Sequence, residues 1–378
     1  RGGGGGGGGP GGSPPPIYPG NRTILIRTGD TPSSAVYDSL HSLIFACEPD
    51  LGLVDAISIS NGQFVARIPV PGIEAVGLSA DDTKILASTN LQQVAWIDTT
   101  LLQVIKWQTL PAVNDPVSGI QFWVPDNPAS IISNFADPND IPTYAQNPYL
   151  LSNGKVLFES LENGFFGVVV EWDPVANTAV IRNDLPTGGP VVANASGTEV
   201  LFASNPSFYD SATDSIRTSS AVPGGILAAA NPAGTQFVLF AGPGLTFIDA
   251  QFNVLGQIPL SVAGPQAGMP TGLVYSPDGT RLYMVTPGPV AVITTIDATN
   301  FTVLGTAPGY SNGSPVASSD IENPLAAEGT GLVIGSAVGG LVLDDSTDFQ
   351  TLTNPTIISD GGVIAPSEGL VQGGPLPR

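Results

Sequence analysis

One pattern of apolar and polar positions recurs along most of this chain. Each copy begins with a turn of Gly, Asp or Asn and continues as a short apolar run that ends in small residues. Short apolar runs between turn residues predict β-strands rather than helices. The copies are YDSLHSLIFACE (37–48), SADDTKILAST (79–89), LLSNGKVLFES (150–160), NASGTEVLFAS (194–204), NPAGTQFVLFA (231–241), SPDGTRLYMVT (276–286) and AEGTGLVIGS (327–336).

A second element follows each copy, and it consists of an apolar strand, a turn that begins with Asp, and another strand. In the first copy this element is VDAISISNGQFVARI (54–68). An Asp carboxylate at the start of a turn can accept a hydrogen bond from the backbone amide two residues on. We therefore predict that most of these acids are structural turn residues rather than catalysts. They are Asp98, Asp173, Asp210, Asp249, Asp297 and Asp344.

Two hairpins per copy make a four-stranded antiparallel blade, and a period of about 40 residues is that of a propeller blade. Seven copies predict an all-β fold, a single seven-bladed β-propeller over residues 21–378 that follows an extended Gly/Pro-rich tail, residues 1–20. Closing the ring removes exposed strand edges. TILIR (23–27) resembles an outermost strand, so we expect it to join the last blade. GGVIAPSEG (361–369) resembles an innermost strand, so a closure of the ring in which this C-terminal segment also contributes a strand is the alternative.

Residues 111–148 break the period. We interpret this stretch as an inserted hairpin with loops between blades two and three, and a degenerate eighth blade is the alternative. Its aromatic residues Phe122, Trp123 and Tyr144 either serve recognition, as long loops often do, or cap the hydrophobic edge of the ring.

The repeated strands resemble a known family. LYMVT (282–286), ILASTN (85–90) and the trailing V-x-x-I-D-x-T pattern are similar to the Tyr-Val-Thr-Asn (YVTN-type) β-propeller repeats of secreted and surface proteins, over about residues 30–360. The resemblance implies a seven-bladed propeller that is secreted or attached to a surface. Related lactonase-like propellers are enzymes, but their catalytic polar cluster does not map onto this chain residue by residue.

Composition narrows the function classes. Charged residues make up 11% of the chain, and the net charge is -21, which disfavours nucleic acid and anionic membranes as partners. No apolar run is long enough to span a bilayer. The chain begins with Arg rather than Met, so we expect an extracellular or cell-surface protein whose signal peptide has been removed.

Catalytic chemistry has few candidates. His41 is the only histidine and lies in a predicted turn, where a surface role is favoured over that of a base in a Ser-His-Asp arrangement. Cys47 is the only cysteine and follows LIF, which predicts a buried thiol. We predict no catalytic residue and no cofactor. The pairs Glu48/Asp50, Glu159/Glu162 and Asp344/Asp345 could act as acid and base, but all lie at turns or strand ends.

Two further kinds of site are weakly indicated. Asp137 and Asp140, in ADPNDIP (136–141), are candidate Ca²⁺ ligands, although the segment lacks the glycine and the final Glu of an EF-hand loop. Four Asn-x-Ser/Thr sequons offer candidate glycan acceptors if the source organism glycosylates secreted proteins. They are Asn21, Asn194, Asn300 and Asn312.

The tail RGGGGGGGGPGGSPPPIYPG gives the main functional hypothesis. Ordering eight glycines costs on the order of 8–16 kcal/mol, so an ordered tail needs a partner surface, and Pro-rich sequence favours an extended conformation. We expect a non-enzymatic structural protein that assembles head to tail with copies of itself into a filament or surface layer. A propeller that binds surface ligands or glycans and a lactonase-like enzyme are the alternatives. The predicted subunit contacts are Gly2, Gly5, Gly9, Pro10, Pro15, Ile17 and Tyr18.

Overall fold

The structure, a computed structural model, is all-β in the part of the chain that it describes. Each apolar run between turns forms a strand, as the pattern predicts, and none of the described residues is helical. The described residues are 23–28, 32–114, 121–122, 145–162, 166–242, 244–259, 269–286, 291–309, 325–326, 332–337, 340–345, 356–359 and 362–364.

The described part of the chain begins with strand β1 (Thr23–Arg27), and six sheets of four consecutive antiparallel strands follow. Blade 1 contains β2 (Ser34–Asp38), β3 (Leu43–Glu48), β4 (Leu53–Ser58) and β5 (Phe64–Pro69). Blade 2 contains β6 (Ile73–Leu78), β7 (Lys84–Thr89), β8 (Gln93–Asp98) and β9 (Gln103–Thr109). A two-stranded sheet, β10 (Val113–Asn114) and β11 (Gln121–Phe122), comes next.

The remaining four blades have the same strand order. Blade 3 contains β12 (Ala145–Leu150), β13 (Val156–Glu162), β14 (Phe166–Asp173) and β15 (Thr178–Ile181). Blade 4 contains β16 (Val191–Ala193), β17 (Glu199–Phe202), β18 (Ser207–Asp210) and β19 (Ser215–Thr218). Blade 5 contains β20 (Leu227–Ala230), β21 (Phe237–Ala241), β22 (Gly244–Ile248) and β23 (Val254–Pro259). Blade 6 contains β24 (Gly272–Tyr275), β25 (Arg281–Thr286), β26 (Ala291–Asp297) and β27 (Thr302–Gly309).

A six-stranded sheet, here called the closing sheet, completes the propeller. Its strands are β28 (Leu325–Ala326), β29 (Leu332–Ala337), β30 (Gly340–Asp345), β1, β31 (Thr356–Ser359) and β32 (Gly362–Ile364), in that spatial order. Its first strand, β28, lies against β2 of blade 1 and β24 of blade 6, so the closing sheet lies between those two blades.

The prediction of seven four-stranded blades is wrong, because six blades have this form and the last repeat joins the six-stranded closing sheet. The expected attachment of β1 is confirmed by its antiparallel register with β30, from Thr23↔Asp344 to Arg27↔Gly340. However, β1 is not outermost, because β31 pairs with its other edge in parallel. The segment expected to resemble an innermost strand contains β32, which lies at the far end of the sheet from β28.

The predicted insertion between blades 2 and 3 is described only at its ends. Val113↔Phe122 and Asn114↔Gln121 form a short antiparallel pair. Blade 3 already begins at Ala145, inside the range 111–148 predicted for the insertion. Residues 123–144, which include Trp123 and Tyr144, lie outside the described residues, so an inserted hairpin and an eighth blade both stay predictions.

The core lies between neighbouring blades, which pack face to face. Because both faces of a middle strand are covered, every residue of β3 and of β21 is buried rather than every second one. Between blades 2 and 3, for example, the buried indole of Trp172 packs against Phe158 and Trp96, with ring centroids 6.1 Å and 6.5 Å away. Cys47 is buried in the core between blades 1 and 2, as predicted.

The Asp-led turns close as predicted wherever the turn is described. At Asp98, the carboxylate oxygen Oδ1 accepts hydrogen bonds from the amides of Thr100 (3.0 Å) and Leu101 (2.8 Å). The same two-amide arrangement recurs at the equivalent acids, although the residues that follow Asp344 lie outside the described part. The equivalent acids are Asp173, Asp210, Asp249 and Asp297.

Each of these turns also contains one residue with a positive φ angle, three or four positions after the Asp. These bridging residues are Leu102, Asn177, Asp214, Phe252 and Phe301, with φ between 51° and 64°. Left-handed backbone is unfavourable for most side chains, so a compensating contact is expected. In blades 4 to 6 the bridging residue contacts the preceding blade: Asp214 binds Arg182, Phe252 packs on Phe208, and Phe301 packs on Phe247.

Candidate functional site

Several residues predicted from the sequence to carry function lie outside the described residues. They are the tail contacts Gly2, Gly5, Gly9, Pro10, Pro15, Ile17 and Tyr18, the sequon residues Asn21 and Asn312, and the candidate Ca²⁺ ligands Asp137 and Asp140. Their roles stay predictions. Among the described residues, no group of three or more His, Cys, Asp or Glu side chains is arranged to hold a metal ion.

The tail precedes β1 in the sequence, and β1 is an interior strand of the closing sheet. Thr23, the first residue of β1, is paired with Asp344 of β30, and the next residue, Ile24, is paired with Thr356 of β31. Ile26 is fully buried. Residues 1–22 therefore join the ring at a strand whose two edges are both hydrogen-bonded.

The two described sequons differ in accessibility. Asn194 is buried, and its side chain closes a turn by donating to the hydroxyl of Thr198 (2.8 Å) and accepting from the Thr198 amide (2.9 Å). Such an Asn cannot carry a glycan without opening the turn. Asn300 is exposed on the turn between β26 and β27, although its side-chain amide donates to Asp297 (2.9 Å). Asn300 is therefore the more accessible of the two candidate acceptors.

His41 lies in the turn between β2 and β3, as predicted, and it joins a carboxylate to a hydroxyl. Its Nδ1 lies 2.7 Å from Oδ2 of the buried Asp38, and its Nε2 lies 3.2 Å from Oγ1 of the exposed Thr100 in blade 2. Because a carboxylate oxygen only accepts, Nδ1 donates to Asp38, and in the neutral imidazole Nε2 then accepts from the threonine hydroxyl. This order of groups is that of a nucleophile, base and orienting acid.

Equivalent turn contacts join other pairs of blades without a histidine. Between blades 3 and 4, the side-chain amide of Asn153 donates to the backbone carbonyl of Ser211 (2.8 Å). Between blades 5 and 6, the amide of Gln236 donates to the carbonyl of Ala298 (3.1 Å). His41 thus occupies a position where this ring repeatedly joins its blades, which favours a structural role for the array.

The carboxylate pairs considered from the sequence do not form common sites where side chains are described. The side chain of Glu48 is buried whereas Asp50 is exposed. Glu159 accepts hydrogen bonds from the hydroxyl of Tyr149 (3.0 Å) and the side-chain amide of Asn147 (3.2 Å). Nothing is described of the side chains of Glu162, Asp344 and Asp345.

Sequence reasoning missed an ionic network between blades 3 and 4, centred on the buried side chains of Arg182 and Glu171. The guanidinium of Arg182 binds Glu171 (2.6 Å), Asp184 (2.8 Å) and Asp214 (2.9 Å). Glu171 also accepts from the Tyr209 hydroxyl (3.0 Å). Hydrogen bonds to Asp184 in particular raise the pKa of Arg182, and burial raises the pKa of Tyr209. Only the scarcity of cations, 11 Lys and Arg in all, could have drawn attention to Arg182 in the sequence.

The turns place many carboxylates on one side of the ring. In an antiparallel blade, the turn from the first strand to the second and the turn from the third to the fourth lie at the same end. We call this side the acidic face. The exposed or half-buried acids of its described turns are Asp81, Asp82, Asp98, Asp173, Asp210, Asp214, Asp249, Asp278 and Asp297.

Several of these acids have a pKa below the ordinary value of an aspartate. The hydroxyl of Ser79 lowers the pKa of Asp81, the backbone amide of Ala176 lowers that of Asp173, and the side chain of Asn300 lowers that of Asp297. The negative charge of the acidic face is therefore a stable property of its turns.

Comparison with known proteins supports the fold and does not extend to function. No protein-family model matches the chain, and no curated protein matches it. Among solved structures, the chain is similar to hydrazine synthase of Kuenenia stuttgartiensis, with a TM-score of 0.53 and 13% sequence identity over 88% of this chain and 100% of that chain. At such low identity the likeness concerns the propeller fold alone. In the described residues, no helix has the length and apolar character needed to cross a membrane.

Proposed function

We propose that this chain is a non-enzymatic extracellular structural protein, a propeller subunit that assembles with copies of itself. In this proposal, residues 1–20 of one copy bind the ring of the next, and repetition of this contact builds a filament or surface layer. Secretion and display at the cell surface agree with the resemblance of the repeats to YVTN-type propellers.

The observation that supports this proposal is the position of β1 inside the closing sheet. Five residues of β1 are in antiparallel register with β30, and four are in parallel register with β31. A load on the tail is transmitted to the ring through both ladders. A connection of this kind suits a segment that holds subunits together.

The His41 array supports a structural role over an enzymatic one. The hydrogen bond between its Nε2 and Thr100 joins the same two turns of neighbouring blades as the Asn153 and Gln236 contacts do. Those two contacts involve no imidazole. Because this kind of turn contact recurs between blades, stabilisation of the ring is enough to explain why His41 makes it.

Deletion of residues 1–20 tests the proposal, with electron microscopy and sedimentation velocity as readouts. We expect the native chain to form polymers, and the shortened chain to remain a single ring with an unchanged circular dichroism spectrum and melting temperature. The double variant Ile17→Ser/Tyr18→Ser, which keeps the tail length, should weaken assembly because both apolar anchors are lost. The proposal is wrong if the shortened chain forms the same polymers or if the native chain forms none.

A further inference from the structure

The outer strands of the six blades are of two kinds. In four blades the outer strand contains a β-bulge near its start, where the register with the third strand skips one residue. A bulge interrupts the ladder and twists the edge strand, so it disfavours pairing with a further strand. The skipped residues are Val65 in blade 1, Ile105 in blade 2, Leu255 in blade 5 and Leu304 in blade 6.

Each of these four strands also contains a residue type that protects exposed sheet edges. β5 ends at Pro69, β23 ends at Pro259, β27 contains Pro308, and β9 contains the exposed Lys106. Proline offers no amide hydrogen to a new strand, and a lysine on an edge opposes pairing by its charge. The outer edges of blades 1, 2, 5 and 6 are therefore protected in two ways.

The outer strands of blades 3 and 4 have neither protection. β15 (TAVI) and β19 (SIRT) keep a continuous register with the third strand of their blades, and their sequences contain no proline or lysine. Blade 3 is separated from the closing sheet by blades 1 and 2, and blade 4 is separated from it by blades 5 and 6. The two unprotected outer strands thus lie on the side of the ring opposite β1.

Of these two strands, β19 has the more open edge. The short strand β10 lies against β15, whereas among the described strands β19 has no comparable neighbour besides β18. The side chains of Ser215 and Thr218 on β19 are small and exposed. Arg217, the only charged residue of β19, binds Glu199 of the same blade (2.7 Å), so its charge is already paired.

The backbone of β19 directs two residues toward this open edge. The amide of Ser219 donates to the carbonyl of Pro206 (3.1 Å) and so continues the ladder between β18 and β19. Hydrogen-bonded and non-bonded positions alternate along an antiparallel pair. The amides and carbonyls of Ile216 and Thr218 therefore point away from β18, where an added strand can bond to them.

We infer that the outer edge of β19 accepts the glycine-rich tail of a second copy as an added strand. An edge strand binds its partner chiefly through main-chain hydrogen bonds, and residues 2–9 are all glycine, so no side chain of theirs can collide with the edge. Residues 1–20 contain Arg1 and no acid, whereas the whole chain has a net charge of -21, so the approach of the tail to a ring is attractive. The inference rests on the proposed function and names the acceptor of the tail.

The positions of donor and acceptor agree with an open assembly. The tail precedes β1 in the closing sheet, and β19 lies on the opposite side of the ring. A contact between different surfaces of two copies repeats head to tail, and it builds a filament when the rotation between copies does not close. The 22 residues that precede β1 span at most about 70 Å when fully extended, which is long enough to bridge two copies.

Cross-linking between two different variants of the full chain tests the inference. One variant has Gly5→Cys in the tail, and the other has Thr218→Cys on β19. Leu304→Cys, which is also exposed but lies on the bulged outer strand of blade 6, replaces Thr218→Cys in the matched control. Each mixture is treated with a bis-maleimide reagent and separated on a denaturing gel. The native Cys47 should stay silent, because it is buried and burial raises the pKa of its thiol to about 12.

We expect a covalent dimer from the mixture of Gly5→Cys with Thr218→Cys, and none from the mixture with Leu304→Cys. We also expect Thr218→Pro, which removes an outward amide, to raise the concentration needed for assembly by about tenfold or more. Thr218→Val keeps the amide and should assemble like the native chain. Circular dichroism and the melting temperature check that the proline variant folds, and the cross-linking result does not depend on it.

Two results would overturn the inference. The first is cross-linking at position 218 that is absent or no stronger than at position 304. The second is a cross-link formed only within single molecules of the double variant Gly5→Cys/Thr218→Cys, which would mean that the tail covers its own ring. If deletion of residues 1–20 abolishes assembly but position 218 does not cross-link, the proposed function stands and the assignment of β19 is wrong. If polymers persist without residues 1–20, the proposed function itself is wrong.

Discussion

Replacing Gly256 with alanine tests how neighbouring blades interlock. Gly256 lies on β23, the outer strand of blade 5, and a Cβ added there would meet the ring of Phe301, the bridging residue of blade 6. The Phe301 ring also packs on Phe247, with centroids 4.8 Å apart. Because φ of Gly256 is not positive, alanine is compatible with the backbone, and any cost comes from the displaced aromatic ring.

The expected magnitude follows from two opposing terms. Overpacking costs about 1–3 kcal/mol, whereas alanine in a strand gains about 0.5–1 kcal/mol over glycine. We expect Gly256→Ala to lower the free energy of unfolding by about 1–2 kcal/mol. With about 2.1 cal/mol/K per residue, a chain of 378 residues that melts as one unit should lose about 1–3 °C in melting temperature.

A double-mutant cycle makes the assay specific. In a Phe301→Ala background the ring is absent, so Gly256→Ala should become neutral or stabilising, with a coupling of about 1–2 kcal/mol by urea unfolding. Gly242→Ala is the matched control, because a Cβ there meets no atom within 4 Å. The interlock is refuted if Gly256→Ala costs the same in both backgrounds or no more than Gly242→Ala.

Two further predictions concern charge. In Arg182→Met, buried Glu171 loses its guanidinium partner but keeps its ion pair with Lys155 (2.6 Å). Unfolding in urea should therefore show a loss of about 1–3 kcal/mol in the free energy of unfolding. The loss should be smaller in Arg217→Met, whose partner Glu199 is more exposed, and equal losses would argue against the network. The pKa of Asp297 is lowered in the fold by its bonds from Asn300 and the turn amides, so its stabilisation is present above the unfolded pKa and lost as pH falls through the folded one. The urea midpoint of Asp297→Asn should therefore fall less steeply than that of the native chain below about pH 4, and an identical slope would contradict this assignment.

Features of the fold that depend on neighbouring residues were predictable from the sequence. The acid at position 98 and the amides that it binds are two and three residues apart, so the sequence itself contains both partners of the contact. The same holds for the strands, since apolar runs between turns are local. The attachment of β1 to the last repeat was predictable because TILIR resembles the outer strands of the other repeats.

Features that depend on distant pairings were not predictable. The six-stranded closing sheet requires β1 to lie between β30 and β31, and nothing within residues 356–359 indicates a parallel partner more than 300 positions away. Likewise, His41 and Thr100 are 59 positions apart, so a turn could be predicted for His41 but not its partner. The Arg182 network brings together residues from two blades whose charges are unremarkable one by one.

The closing sheet unites the fold with the proposed assembly. A propeller closed by pairing between its two ends has a joint that no covalent bond holds, and this joint is also where the tail enters. If β1 were the outer strand, as expected from the sequence, a pull on the tail would oppose a single ladder of hydrogen bonds. With β31 on its second edge, β1 is an interior strand, and its removal must break an antiparallel and a parallel ladder together. The departure from the four-stranded blade therefore reinforces the ring at the position where the proposed tail contact would place a load.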